Sequence, residues 1–150
     1  MKTFSFRLQR VLQLRVAAEQ AQARRVADAR QDEATARRLA DQAAARVAEA
    51  IDQIASTPSS LSTAGNLGNV ILVLESARAR SAAAAAAHRE AAARLEIELL
   101  SFEQARQARR AIEKLREQRY VQWQSDVVRS EQQLTDEVAL RVPRTQRVAG

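Results

Sequence analysis

Proline and glycine are confined to one internal interval and the last residues of this chain, and that distribution limits its fold more than any other feature. Pro58, Gly65 and Gly68 lie within one short interval, and Pro143 and Gly150 lie at the end. Residues 1–57 and 69–142 contain neither type. Both residues interrupt helices, proline by removing a donor and glycine by its conformational freedom. Most of the remainder is Ala, Arg, Gln, Glu and Leu, all good helix formers. The simplest object with this punctuation is an all-α, long antiparallel two-helix coiled-coil hairpin. A lone hairpin has no room for an enclosed active site, so its function must lie on its faces and at its two ends.

Composition supports a thin seam rather than a thick core. Hydrophobic residues make up 46%, but much of that is alanine, and aromatics are only 3%. Such a balance, with 28% charged residues, is typical of coiled coils. The net charge of +6, carried mostly by arginine, raises nucleic acid, anionic membrane or an acidic protein as partners. The basic residues are interleaved with acids, as in Glu113-Lys114 and Glu117-Gln118-Arg119, which also fits a solvated, salt-bridged helix face. Without cysteine there is no disulfide and no thiolate metal site. Arg7, Arg10 and Arg15 interrupt any apolar stretch near the N-terminus, so no secretory signal is expected. No apolar run approaches the roughly 18 residues of a transmembrane helix.

The chain reads as one helical hairpin over 1–142, with helix one about 5–55, a turn at 56–69 and helix two about 70–141. Residues 143–150 are expected to form a disordered tail after Pro143. In helix one, steps of three and four pick out Val26, Ala29, Glu33, Ala36, Ala40, Ala43, Val47, Ala50 and Ile54, nearly all apolar. That is an a/d seam whose small residues let a partner helix approach closely. Upstream, Leu8, Val11, Leu12 and Val16 form a bulkier patch in a slipped register. In the turn, Ser and Thr offer side-chain oxygens to the backbone, and Asn69 or Asn66 is a candidate N-cap.

Helix two, at about 1.5 Å per residue, would be about 105 Å long against about 70 Å for helix one. Its six consecutive alanines, Ala82–Ala87, favour helix but specify register poorly. The bulky residues Leu95, Leu99, Phe102, Ile112, Leu115, Trp123, Val127, Leu134 and Val138 are irregularly spaced, which predicts stutters rather than a clean heptad. Folding about residue 62 pairs numbers that sum to about 124. Ile51 and Ile54 then lie near Val70–Val73, Ala29 near Leu95, and Phe4–Leu8 near Tyr120 and Trp123.

Catalysis finds no support in the residues. His88 is the single histidine, expected as a solvated or seam residue, and no phosphate loop, metal-ligand pair or Ser/His/Asp set is apparent. No cofactor and no metal are expected. Two surfaces stand out instead. Residues 53–74 carry no charge, and Val70-Ile71-Leu72-Val73-Leu74 is an apolar run that cannot be buried against one neighbouring helix. Either Leu61 and Leu67 fold back over it, or it is a partner-binding or self-association tip. At the open end, Phe4, Phe6, Tyr120 and Trp123 gather among Arg7, Arg10, Arg15, Arg109, Arg110, Lys114, Arg116 and Arg119. This is either a capped coiled-coil end with solvated arginines or a surface for an acidic or polar cavity. No base-reading motif is present, so nucleic acid is not expected as a partner.

The ends carry a resemblance. Phe4-Ser5-Phe6-Arg7-Leu8-Gln9-Arg10-Val11-Leu12-Gln13-Leu14-Arg15 resembles the opening signature of the flagellar FliJ family. Glu113-Lys114-Leu115-Arg116-Glu117-Gln118-Arg119 and Asp136-Glu137-Val138-Ala139-Leu140-Arg141 resemble its closing basic stretch and tail. The resemblance implies an antiparallel two-helix coiled coil similar to the central stalk of rotary ATPases. It implies a cytoplasmic, non-enzymatic component of the flagellar type III export apparatus, peripheral to the inner face of the membrane only through its partners. Its open end, with Phe4, Phe6, Arg7, Leu8, Arg10, Val11, Leu12, Arg116, Arg119, Tyr120 and Trp123, would dock in the hexameric flagellar export ATPase. Its loop-side tip, at Val47, Ala50, Ile54, Val70, Ile71, Leu74 and Ala77, would engage the export gate protein FlhA, where the family places aromatics that this chain lacks. The protein would also escort export chaperones. Read from the residues alone, a structural or self-associating coiled-coil stalk or scaffold unrelated to export remains an alternative.

Overall fold

The computed structural model describes residues 3–58 and 64–141. Two helices, α1 (Gln9–Ser56) and α2 (Ala64–Arg141), pack against each other as an all-α antiparallel hairpin. The sequence predicts one hairpin over 1–142. The chain forms two compact units: a terminal unit from the first 17 residues with those from 106 onward, and an inner unit over Ala18–Ala105.

In the inner unit, the α1 seam follows the predicted three–four spacing as far as Ala50, while Ile54, the last position expected in it, is exposed. Val26 is buried, and Ala29, Glu33, Ala36, Ala40, Ala43, Val47 and Ala50 are half-buried. The facing seam of α2 runs through Leu74, Ala77, Ser81, Ala84, His88, Ala91, Leu95, Glu98, Phe102 and Ala105 in strict alternating steps. The stutters expected from the bulky residues are therefore absent here. The seam positions are held by Ala, Ser, His and Glu, while bulky Ile97 and Leu100 point outward.

The register also differs from folding about residue 62. His88 Nε2 meets Glu33 Oε1 at 2.8 Å, and Gln22 Nε2 donates to the Glu98 carbonyl oxygen at 3.3 Å and to its carboxylate. These partners have numbers adding to 121 and 120, half a heptad from the expected 124. Ala29 accordingly falls opposite Ala91 rather than Leu95. The turn position alone does not set the register, because the polar seam residues must find each other.

The helix termini depart from expectation on both sides. α1 starts at Gln9 rather than near residue 5; the Gln9 N–H donates to the Phe6 carbonyl at 3.1 Å. Residues 3–6 belong to no helix and residues 7–8 form a turn into α1; over this stretch Phe4, Phe6 and Leu8 are shielded while Thr3, Ser5 and Arg7 are exposed. At the other end of α1, the Ser56 hydroxyl donates to the Asp52 carbonyl and the Thr57 hydroxyl to the Gln53 carbonyl, both at 2.8 Å. Both hydroxyls fold back onto carbonyls near the end of the helix, and Pro58 follows.

α2 begins at Ala64, so Gly65, Asn66, Gly68 and Asn69 are helical rather than part of the turn, and neither asparagine is an N-cap. Glycine costs about 1 kcal/mol per position in a helix. The continued helix places Leu67 and Val70 along the same groove as Ile54. The tail expected at 143–150, and Leu61 in the turn, lie outside the described residues.

Candidate partner-binding surfaces

The first surface belongs to the terminal unit. Phe4 meets Tyr120 edge-on, with centroids 5.2 Å apart at 82°, and Trp123 at 5.8 Å and 55°. Tyr120 and Trp123 stack at 5.7 Å and 28°. All three separations fall in the favourable range for aromatic pairs. An extended residue advances about 3.3 Å and a helical one about 1.5 Å, so the non-helical start lets Phe4 reach far along α2.

Below this cluster Leu12 is buried, at 5% exposure, and Leu8, Val11 and Phe6 are half-buried. Arg7, Arg10, Arg116 and Arg119 are exposed. The expected open-end residues thus divide in two: an apolar set that holds the helices together, and a cationic set that faces solvent. A cleft of about 430 Å³ lies between Phe4, Glu113, Arg116, Glu117 and Tyr120. Its two carboxylates were absent from the sequence-based site, and Glu113 also pairs with Arg109 one turn earlier. The four-residue spacing of Arg109, Glu113 and Glu117 was the available signal. The cleft is therefore of mixed charge.

The second surface belongs to the inner unit, where the helices meet the connection. Of the expected tip residues, Val47, Ala50, Leu74 and Ala77 are half-buried seam positions. Ile54, Val70 and Ile71 are exposed, and Leu67, Leu72 and Val73 join them. Leu72 and Val73 are more than three-fifths exposed, so Leu67, itself half exposed, does not cover the run. A groove of about 450 Å³ is lined by Ala50, Gln53, Ile54, Thr57, Asn66, Leu67, Asn69, Val70 and Val73. Among the described lining residues the polar side chains are uncharged amides and a hydroxyl, so it suits an apolar ligand with a few hydrogen-bonding groups.

His88 takes the seam place that the sequence allowed for it, bonded to Glu33. Among the described residues, no group of three His, Asp or Glu is placed to hold a metal ion. No helix among them is long and apolar enough to cross a membrane.

Comparison with known proteins agrees with the resemblance at the ends of the chain. A family model described as flagellar FliJ protein matches residues 4–147. No curated protein and no solved structure matches the chain.

Proposed function

Because this chain belongs to the flagellar FliJ family, whose members are flagellar export components, we propose that it is a non-enzymatic coupling protein of flagellar type III export. In this reading the terminal unit docks in the hexameric export ATPase, and the exposed tip of the inner unit engages the export gate protein FlhA. The same helices escort export chaperones, and the protein reaches the membrane only through these partners.

The observation that carries the reading is the terminal surface. The aromatic cluster fixes Phe4 onto α2, and Arg7, Arg10, Arg116 and Arg119 stand exposed on the same unit. Exposed arginines held on a pre-ordered surface gain on-rate and orientation toward an acidic cavity. The aromatic anchors lower the ordering cost of binding.

The test is ATP hydrolysis by the purified export ATPase with and without this protein. Reversing Arg7, Arg10 and Arg119 to glutamate should remove most of the stimulation while leaving helical content unchanged, since all three side chains are exposed. Full stimulation by that variant would reject the docking assignment. Replacing Leu12 would be a poor test, because its burial ties it to folding.

A further inference from the structure

We infer that the pairs Gln22–Glu98 and Glu33–His88 form a register lock, which holds the inner unit in one of several alignments that its alanine-rich seam would otherwise accept. Apart from Val26, Val47, Leu74, Leu95 and Phe102, the seam between and beyond them is small side chains. Ala29, Ala36, Ala40 and Ala43 face a helix whose own seam includes Ala77, Ala84 and Ala91. Side chains of one size interdigitate equally well after a slip, so packing alone discriminates poorly. A polar residue at a seam position is the best-attested device for fixing register in coiled coils, at some cost in stability.

The observed alignment is singled out by where each polar residue would otherwise fall. Here Gln22, the buried polar residue of the described chain, donates to both the carbonyl and the carboxylate of Glu98. Glu33 and His88, each about three-quarters or two-thirds shielded, meet at 2.8 Å. Sliding α1 half a heptad one way sets Gln22 against Phe102, Glu33 against Ala91, His88 against Ala36 and Glu98 against Val26. Sliding it the other way sets Gln22 against Leu95, Glu33 against Ala84, His88 against Ala29 and Glu98 against Glu19. A whole heptad brings Glu33 against Leu95 or Ser81. Only the observed alignment pairs all four, and elsewhere a shielded carboxylate or amide loses its partner, which is strongly disfavoured.

The lock has a consequence for the tip. Half a heptad is about 5 Å along a helix. A slip of that size in one direction would move Ile54 from opposite Leu67 to opposite Val70 and reshape the groove they line. The two polar pairs therefore set the shape of a surface well removed from them in sequence.

The absence of cysteine makes the test direct, because an introduced pair has no competitor. By the observed register Ala40 faces Ser81, whereas Ala84 or Ala77 would face it after a half-heptad slip. The full chain is prepared with Ala40→Cys and one of Ser81→Cys, Ala84→Cys or Ala77→Cys, then oxidised mildly. With the polar pairs intact, only the Ser81→Cys partner should close. Adding Gln22→Leu, Glu33→Ala, His88→Ala and Glu98→Leu should leave the protein helical and raise closure of a slipped pair several-fold. Glu33→Gln alone, which keeps a polar partner for His88, should stay in one register. Closure restricted to Ser81→Cys in the fourfold variant would overturn the lock. So would loss of helical content, which would show the pairs sustaining the fold rather than choosing its register, or slippage in Glu33→Gln.

Discussion

Gln22 reaches across the seam to Glu98 and engages both its carbonyl oxygen, at 3.3 Å, and its carboxylate. The interaction links two helices through residues far apart in sequence, in a part of the hairpin where most neighbours are alanine. Removing only the donor leaves a shielded carboxylate without it. Gln22→Ala should therefore lower stability by about 1–3 kcal/mol. The apolar double variant Gln22→Leu with Glu98→Leu should recover that loss or exceed it, because both desolvated polar groups are gone. Urea unfolding followed by circular dichroism measures both. A neutral Gln22→Ala would mean that the bond adds nothing to stability.

Trp123 is the only tryptophan of the chain and packs on both Phe4 and Tyr120. Its fluorescence is thus a specific reporter of the aromatic cluster. Phe4→Ala should shift the emission to longer wavelength, as water replaces the ring. Phe4 lies outside α1 and is only half-buried, so helical content should hold, with a stability loss of about 1–2 kcal/mol. An unshifted emission spectrum would show that the ring does not rest on Trp123 in solution.

Much of this architecture is legible in the residues, because its signals are local. Pro58 marks the end of α1, although Gly65 and Gly68 beside it lie inside α2, and the spacing from Val26 to Ala50 marks one seam. The aromatic grouping of Phe4 with Tyr120 and Trp123 follows from antiparallel folding. The errors have separate physical sources. Register depends on a few hydrogen bonds between residues such as Gln22 and Glu98, whereas counting from the turn treats all seam positions as alike. Residues 3–8 alternate polar and apolar, a two-residue period that a helix-opening signature obscures. The α2 seam is regular but occupied by Ser81, His88 and Glu98, so following the bulky residues misses it. At the tip, Leu74 and Ile71 belong to one apolar run, yet one faces the seam and the other solvent.

Gly65 and Gly68 test where α2 begins. Neither would meet any atom within 4 Å on gaining a Cβ, and neither has a positive φ. In an exposed helix, Gly65→Ala and Gly68→Ala should each stabilise the protein by about 0.5–1 kcal/mol. Thermal melting of the two single variants and the double variant is sufficient, with the effects summing if the helix is continuous. Destabilisation by either would place the start of α2 beyond that glycine.

The tip offers the sharpest separation between folding and partner binding. Ile71 is 52% exposed and Leu74 is half-buried in the seam three residues later, so one helical turn carries both environments. Ile71→Asp should change stability by less than about 0.5 kcal/mol, since exposed substitutions rarely do more. Leu74→Asp should cost roughly 2 kcal/mol or more, because it places a charge against α1. A gate-binding experiment must therefore use Ile71→Asp with Leu72→Asp and leave Leu74 intact. Pull-down by the cytoplasmic part of FlhA should fall sharply for that pair while the melting temperature holds. If binding and melting are both unchanged, the exposed run is not the gate-facing surface. If melting drops with Ile71→Asp alone, the side chain is packed in solution and the tip is not the open apolar face that its geometry describes.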